Sequence, residues 1–331
     1  VLSPVTGLDS VVHKIISINN PEDLIIGADT IVLIDSKVVG KITKVQVWTN
    51  RPVWPQGIQM PTPNQSMKPE ALNWDLWLGP AKEKPFTPNM HPFNWRGWWV
   101  YGTGALGDMG CHILDPSFYA LDLGAPSEIQ ATSTHWIPEV SSQTYPSASI
   151  VRMKFPKRGH HPELNLTWSD GRLLPPVPRE FEAGETFSAS GAMLVGDKGK
   201  IIHGSHGASE LKIIPKQKML DYKKPAKTIK RVTTNHHKDW IKACKEGEDS
   251  SSTFDYGAPL TEMALLGMIA IRLKDQSLLW DSENLRFTNS EEANKLLHKD
   301  YNKLKMTKQI HLLIYTSDPD DERSSVNLGG R

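Results

Sequence analysis

The chain has 331 residues, 38% of them hydrophobic and 23% charged, with a net charge of +1. That composition fits one large or two medium folded domains and excludes a disordered or fibrous chain. A net charge this small excludes a global electrostatic field for nucleic acid or an acidic membrane surface. Two cysteines, Cys111 and Cys244, exclude a disulfide framework, and their default reading is as small buried apolar groups. No apolar run approaches the roughly 20 residues needed to span a bilayer.

The first 36 residues carry weak signals. KIISI (14–18) reads as a strand, and Pro21 to Lys37 reads as a helix with Glu22 and Asp23 near its start. From Ile42 the pattern is β: in ITKVQVWTN, Val45 and Val47 share one face, and Lys44 and Gln46 share the other. Residues 51–94 are too rich in proline for regular structure, and their Trp54, Trp74, Trp77 and Phe86 point to an ordered excursion, a lid, rather than a loose linker.

Gly104–Leu123 reads as a helix with a core stripe of Leu114, Phe118 and Leu121, a bend at Pro116 and a stop at Gly124. Strands return at 127–134, 147–155 and 164–169. A hairpin follows over 192–204 and a short strand over 210–215. Two helices come next, His236–Glu246, expected to bury Trp240, Ala243 and Cys244, and Leu260–Lys274. A last helix starts near Ser290, with Thr288 or Ser290 as its cap. The tail TSDPDDERSSVNLGGR has almost no apolar residues and reads as disordered. Strands in succession with few crossovers give an α+β class: an open-faced, mostly antiparallel sheet with helices packed on one face.

The densest chemistry lies in Trp95–Gly124, WRGWWVYGTGALGDMGCHILDPSFYALDLG. Clustered tryptophans beside polar groups make a stacking surface for sugar rings. Trp95, Arg96, Trp98 and Trp99 form the candidate substrate wall, one or two of the tryptophans being core. Asp108, His112 and Asp115 follow at i, i+4 and i+7, which puts them on one helical stripe. A histidine titrating near neutral pH, one turn from a carboxylate, is a proton-transfer unit. Asp115 and His91 complete the candidate substrate-binding set.

Gly102-x-Gly104-x-x-Gly107 spells the dinucleotide pattern but lacks the strand before it and the βαβ unit around it. These glycines read instead as a helix start that approaches a ligand or another backbone closely. The histidine pairs His160-His161, His236-His237 and His203-x-x-His206 lack third and fourth ligands at a recognisable spacing, so no metal site is expected.

From about Lys41 to Asn302 the chain resembles the C-terminal domain of the Gfo/Idh/MocA oxidoreductases, in a bacterial branch. The resemblance rests on VWTNRPVWPQG (47–57), WDLWLGPA (74–81), HPFNWRGWW (91–99), GTGALGDMGCHILDP (102–116), FDYGAPLTEMALLG (254–267) and LLWDSENLRFTNSEEAN (278–294). It implies a dinucleotide-binding Rossmann domain followed by an open-faced sheet domain, acting with NAD or NADP on a sugar or polyol hydroxyl. It also implies that His112 of Asp108-x-x-x-His112 exchanges the hydroxyl proton, with Asp108 orienting it or the substrate. The family's catalytic lysine sits in an EKP motif of the Rossmann domain. Glu83-Lys84-Pro85 lies instead in the proline-rich excursion, and the role is not carried over to Lys84.

Only about 40 residues precede Lys41, and they hold no Gly-rich loop and no βαβ unit. The expected division is therefore a remnant or replaced segment (1–40), a substrate and oligomerisation domain (41–302), and an unrelated tail (303–331). On this reading NAD or NADP is the family's cofactor but does not bind this chain alone. The partners expected are a sugar or polyol and further copies of the chain through the open sheet face, with no nucleic acid and no membrane. The expected setting is soluble, in a bacterial cytoplasm or periplasm. Two other functions compete: an NAD-dependent glycosidase of the same superfamily, whose Gly-His-Gly-Gly stretch is absent, and a non-catalytic sugar-binding or oligomerisation module.

Overall fold

The computed structural model describes residues 38–134, 137–223, 235–247 and 249–299. The expected strand at 14–18, the helix at 21–37 and the tail lie outside the described residues. Two compact units divide the chain; their described parts are 61–91 with 297–299, and 38–60 with the described residues of 92–296.

In the first unit the proline-rich excursion has its own small aromatic cluster. Asn73 accepts a hydrogen bond from the Leu76 amide (3.1 Å) and so caps α1 (Trp74–Leu78). The rings of Trp74 and Trp77 stack at 4.6 Å, and Phe86 meets Trp74 edge-on at 5.1 Å. The indole N–H of Trp74 donates to the Lys84 carbonyl (2.8 Å).

The second unit is a single sheet with helices on one face. Its strands are β1 (Ile42–Thr49), β2 (Glu128–Ser133), β3 (Ser149–Phe155), β4 (Leu164–Ser169), β5 (Ser190–Gly196), β6 (Lys200–Gly204), β7 (Lys212–Ile214), β8 (Ser277–Asp281) and β9 (Arg286–Phe287). They lie in the order β7-β6-β5-β1-β4-β3-β2-β8-β9. Only the β1–β4 pair is parallel. The helices are α2 (Gly104–Ile113), α3 (Asp115–Ala120), α4 (Pro138–Ser141), α5 (Lys216–Asp221), α6 (His236–Glu246), α7 (Phe254–Arg272) and α8 (Glu291–Leu296).

Alternation along each strand decides which face is covered. Registers align Ile213, Ile201, Leu194, Val45, Leu166, Met153, Ile129 and Leu278 into one apolar row across eight strands. All eight are buried, and each contributes about 1.5–3 kcal/mol by leaving water. Helices α2 and α7 pack on this side. Gly267 is where α7 comes nearest: a Cβ there would sit 2.5 Å from Leu106 of α2 and 2.9 Å from Met153 of β3. The absence of a side chain at that position lets both helices reach the sheet.

The other face is the open one, through which further copies of the chain were expected to meet. Over β1, β4, β3 and β2 it carries two polar rows, Lys44–Asn165–Lys154–Glu128 and Gln46–Thr167–Arg152–Gln130. Toward β5, β6 and β7 it turns apolar, but Phe181 and Phe187 of the chain itself pack on Trp48, Met193, Ile202 and Ile214 there.

Helix α6 differs from expectation. Its bounds match, yet none of its residues is buried; Trp240 is 64% exposed, and Cys244 is exposed while Cys111 is buried. Its amphipathic spacing marks a face, but within the described residues no element covers it. Ser290 is the cap of α8, its hydroxyl accepting from the Ala293 amide (3.2 Å).

Candidate functional site

The expected continuous helix is two helices. Pro116 has no amide hydrogen to give, so α2 ends at Ile113 and α3 opens at Asp115 with the proline in its first turn, where no donor is missed. Leu114, Phe118 and Leu121 are buried, as their spacing requires. Asp115 therefore does not share a helix with Asp108 and His112.

The space beside the glycines at the start of α2 is filled by protein. A Cβ at Gly102 would lie 2.5 Å from the Arg96 backbone. Gly104 has φ +60°, and a Cβ there would meet the Tyr145 ring at 2.7 Å. The Tyr145 hydroxyl donates to the Gly102 carbonyl (3.0 Å) and fixes the turn. A Cβ at Gly107 would run into the Thr103 side chain. The space in which such a loop would cradle a diphosphate is thus occupied by Arg96, Tyr145 and Thr103. These residues do not fit the dinucleotide that the family resemblance implies.

Asp108 and His112 lie one turn apart on α2, yet their partners differ. Asp108 takes a hydrogen-bonded ion pair from Arg96 (Nε to Oδ1, 3.0 Å), both side chains being about a quarter exposed (22% and 24%). Arg96 also donates to the Phe93 carbonyl (3.0 Å). Its guanidinium lies over the rings of Phe93 (4.5 Å), Trp95 (4.6 Å) and Trp54 (5.9 Å). Asp108, expected to orient the imidazole or the substrate, has its carboxylate engaged by Arg96.

His112 is buried, at 7% exposure, and its Nδ1 has no hydrogen-bond partner among the described residues. Its ring rests on that of His206 (centroids 4.5 Å apart, tilted 43°). Burial first, then His206, then Arg51 push its pKa from the ordinary 6.5 down to about 4. His112 is therefore a neutral imidazole at pH 7, not the half-charged group that its type alone implies.

Asp115 is completely buried. Its Oδ1 accepts a short hydrogen bond from the Tyr256 hydroxyl of α7, and its Oδ2 has no partner among the described residues. Burial raises its pKa to about 7 against the opposing Tyr256 bond. Burial and the same carboxyl push the Tyr256 phenol far up, and the Cys111 thiol to about 11. Asp115 thus lies beneath the surface to which sequence spacing assigned it.

The three tryptophans divide. Trp98 is core, at 2% exposure. Trp99 is half-buried, with its ring 3.7 Å from Tyr145, its indole N–H on the Ser141 carbonyl (3.0 Å) and Arg272 over its face (5.2 Å). Trp95 is half-buried and donates to the Pro92 carbonyl (3.1 Å). His91 belongs to the first unit, where it meets Trp77 edge-on at 6.5 Å. Three residues that sequence reasoning passed over shape the site: His206, Arg51 and Tyr256. His206 had a signal in the His203-x-x-His206 pair, and Tyr256 in FDYGAPL. Among the described residues no three His, Cys, Asp or Glu side chains gather in a metal-binding arrangement, and no helix is long and apolar enough to cross a membrane.

Residues 32–141 match the family model described as "Oxidoreductase family, C-terminal alpha/beta domain", that of the Gfo/Idh/MocA proteins. Over these residues, about a third of the chain, the sequence is similar to that domain. Among solved structures, an NAD-binding protein from Listeria innocua aligns at 9% identity with a TM-score of 0.39, over 74% of this chain and 60% of that one. The aldose-aldose oxidoreductase from Caulobacter crescentus, complexed with glycerol, aligns at 11% identity with a TM-score of 0.37, over 74% of this chain and 57% of that one. The chain spans less than two thirds of the length of each. No curated protein matches.

Proposed function

We propose that this chain is the substrate-binding, proton-handling half of an oxidoreductase acting on a sugar or polyol hydroxyl. One observation carries the reading. Within the segment that matches the oxidoreductase family, a buried neutral imidazole, His112, keeps a ring nitrogen without a partner. A neutral imidazole is the form that accepts a proton from a hydroxyl. Arg96, held against Asp108, offers further N–H donors to neighbouring hydroxyls, and the half-buried rings of Trp95 and Trp99 offer stacking surface. Asp115 acts from below, fixing Tyr256 and the junction of α2 and α3, and Trp98 packs the core.

The dinucleotide of the family is proposed to be held by residues other than these, since Gly102, Gly104 and Gly107 leave no cradle. We assign residues 41–302 to the substrate domain and keep the open sheet face as the proposed contact between copies. Its polar rows call for a hydrogen-bonded interface, which light scattering on Arg152→Glu would test.

The test is a polyol and sugar panel followed by the imidazole signals of His112. Saturable shifts, lost in Arg96→Ala, are expected; no response across the panel contradicts the assignment. Micromolar binding of NAD or NADP to the isolated chain would overturn the placing of the cofactor elsewhere. Polyol binding without nicotinamide reduction in any preparation that binds the dinucleotide would favour a non-catalytic sugar-binding module.

A further inference from the structure

His206 stands 94 residues beyond His112, at the far end of the β6 turn, and the fold lays its ring on the buried imidazole (4.5 Å). Nothing in the local spacing of either residue requires this contact. The turn that presents it is pinned at both ends. Within it, the Gly204 amide donates to the Ser209 carbonyl (2.5 Å), and the Ser209 amide donates to the His206 carbonyl (3.3 Å). At its start the fully buried His203 uses Nδ1–H on the Gly204 carbonyl (2.7 Å). Two non-glycine residues are held in the left-handed region, Ala208 at φ +51° and Glu210 at φ +55°. Such backbone costs on the order of 1–3 kcal/mol each and persists where the surroundings impose it.

The two rings are unlike in access. His112 is buried, whereas His206 is exposed and has a hydroxyl, Ser205 Oγ, at its Nδ1 (2.7 Å). A base that is buried and neutral cannot store a proton it has accepted; the charged form is destabilised by the same burial. It needs a neighbour that reaches water. The other charged groups at hand do not serve. Asp108 is engaged by Arg96, and Arg51 is a permanent cation whose charge opposes protonation of His112.

We propose that His206 is the outer station of a two-imidazole proton path, exchanging protons between the buried His112 and solvent, with the Ser205 hydroxyl orienting its ring. The inference rests on the reading of His112 as the proton-exchanging group. The step is a proton transfer alone: the rings touch without a hydrogen bond between them, so an intervening water takes the proton as an N–H bond of His112 breaks and gives one to His206, from which bulk water takes it. His206 acts through His112 and is a positioning residue.

The experiment follows the His112 imidazole N–H signal by nitrogen-15 NMR in the wild-type chain, His206→Gln and Ser205→Ala. In His206→Gln the exchange of the His112 proton with water is expected to slow about tenfold or more. Its titration midpoint is expected to rise by about one unit as the like charge is removed. Ser205→Ala keeps both rings and should slow exchange less. If His206 were only a cover, His206→Gln would expose His112 and speed its exchange; faster or unchanged exchange overturns the proposal. No substrate or dinucleotide enters the measurement. A chain that ignores every polyol would therefore sink the proposed function and leave this inference to stand or fall by itself.

Discussion

Arg96–Asp108 and His112–Asp115 are neighbours along one segment, and they solve opposite problems. The first pair sits partly in water with more partners than it needs: an ion pair, a carbonyl and three aromatic rings around one guanidinium. The second set lies under the surface with fewer partners than it has polar atoms, since His112 Nδ1 and Asp115 Oδ2 both go without among the described residues. The over-partnered group is held in place and charged. The under-partnered groups are held neutral, His112 by a lowered pKa and Asp115 by a raised one. The second set therefore holds the groups whose charged forms burial disfavours, His112 as a neutral proton acceptor and Asp115 as a carboxyl titrating near pH 7, and the first set supplies recognition.

Substitutions that erase this contrast should have graded effects. The largest is expected from His112→Ala. In any preparation that oxidises a polyol, turnover should fall roughly 10²–10⁴-fold with little change in KM. Near-wild-type turnover would remove His112 from the chemistry.

Next is the Asp115–Tyr256 pair. Asp115 has a folded pKa of about 7 against an ordinary 3.8, so the folded state holds a proton that the unfolded chain releases above about pH 4. Its neutral form favours folding most below that value, and the contribution is lost as pH rises to about 7. Asp115→Asn keeps the shape and removes the titration. The difference in Tm, variant minus wild type, should grow between about pH 4 and pH 7 and then level. A difference independent of pH would contradict a protonated Asp115. Tyr256→Phe takes away its donor and should cost about 1–3 kcal/mol by chemical denaturation.

For Gly104→Ala, the left-handed φ and the Tyr145 ring both oppose a methyl group, and about 1–3 kcal/mol is the expected loss, read from the denaturation midpoint. The smallest stability effect belongs to Arg96→Gln. A partly exposed ion pair contributes about 1 kcal/mol or less, so its loss should show in polyol affinity rather than in Tm.

How much of this was legible beforehand depended on the kind of order involved. Strand alternation located β1, β3 and β4, because period two survives any tertiary arrangement. Pro116 marked the break between α2 and α3 through its missing amide hydrogen. Spacing also placed Asp108 and His112 one turn apart, but it could not say that Arg96 would claim the carboxylate. That choice is made by the 3-10 turn at Asn94–Gly97, packed where Gly102 leaves room. Trp98 and Trp99 are adjacent with opposite fates, one in the core and one half-exposed, and composition treats them alike. Amphipathic spacing placed Trp240 on a face and could not show that nothing described covers it. The contact of His206 with His112 depends on how β6 is seated in the sheet, and its only trace in the sequence was a histidine pair with no metal to serve.

One titration tests the central claim most directly: the midpoint of the His112 imidazole, followed by NMR in the intact chain with and without a polyol. The expected result is a midpoint near pH 4 and ring signals that move on polyol binding. A midpoint at the ordinary histidine value of about 6.5, with signals indifferent to every polyol, would contradict it.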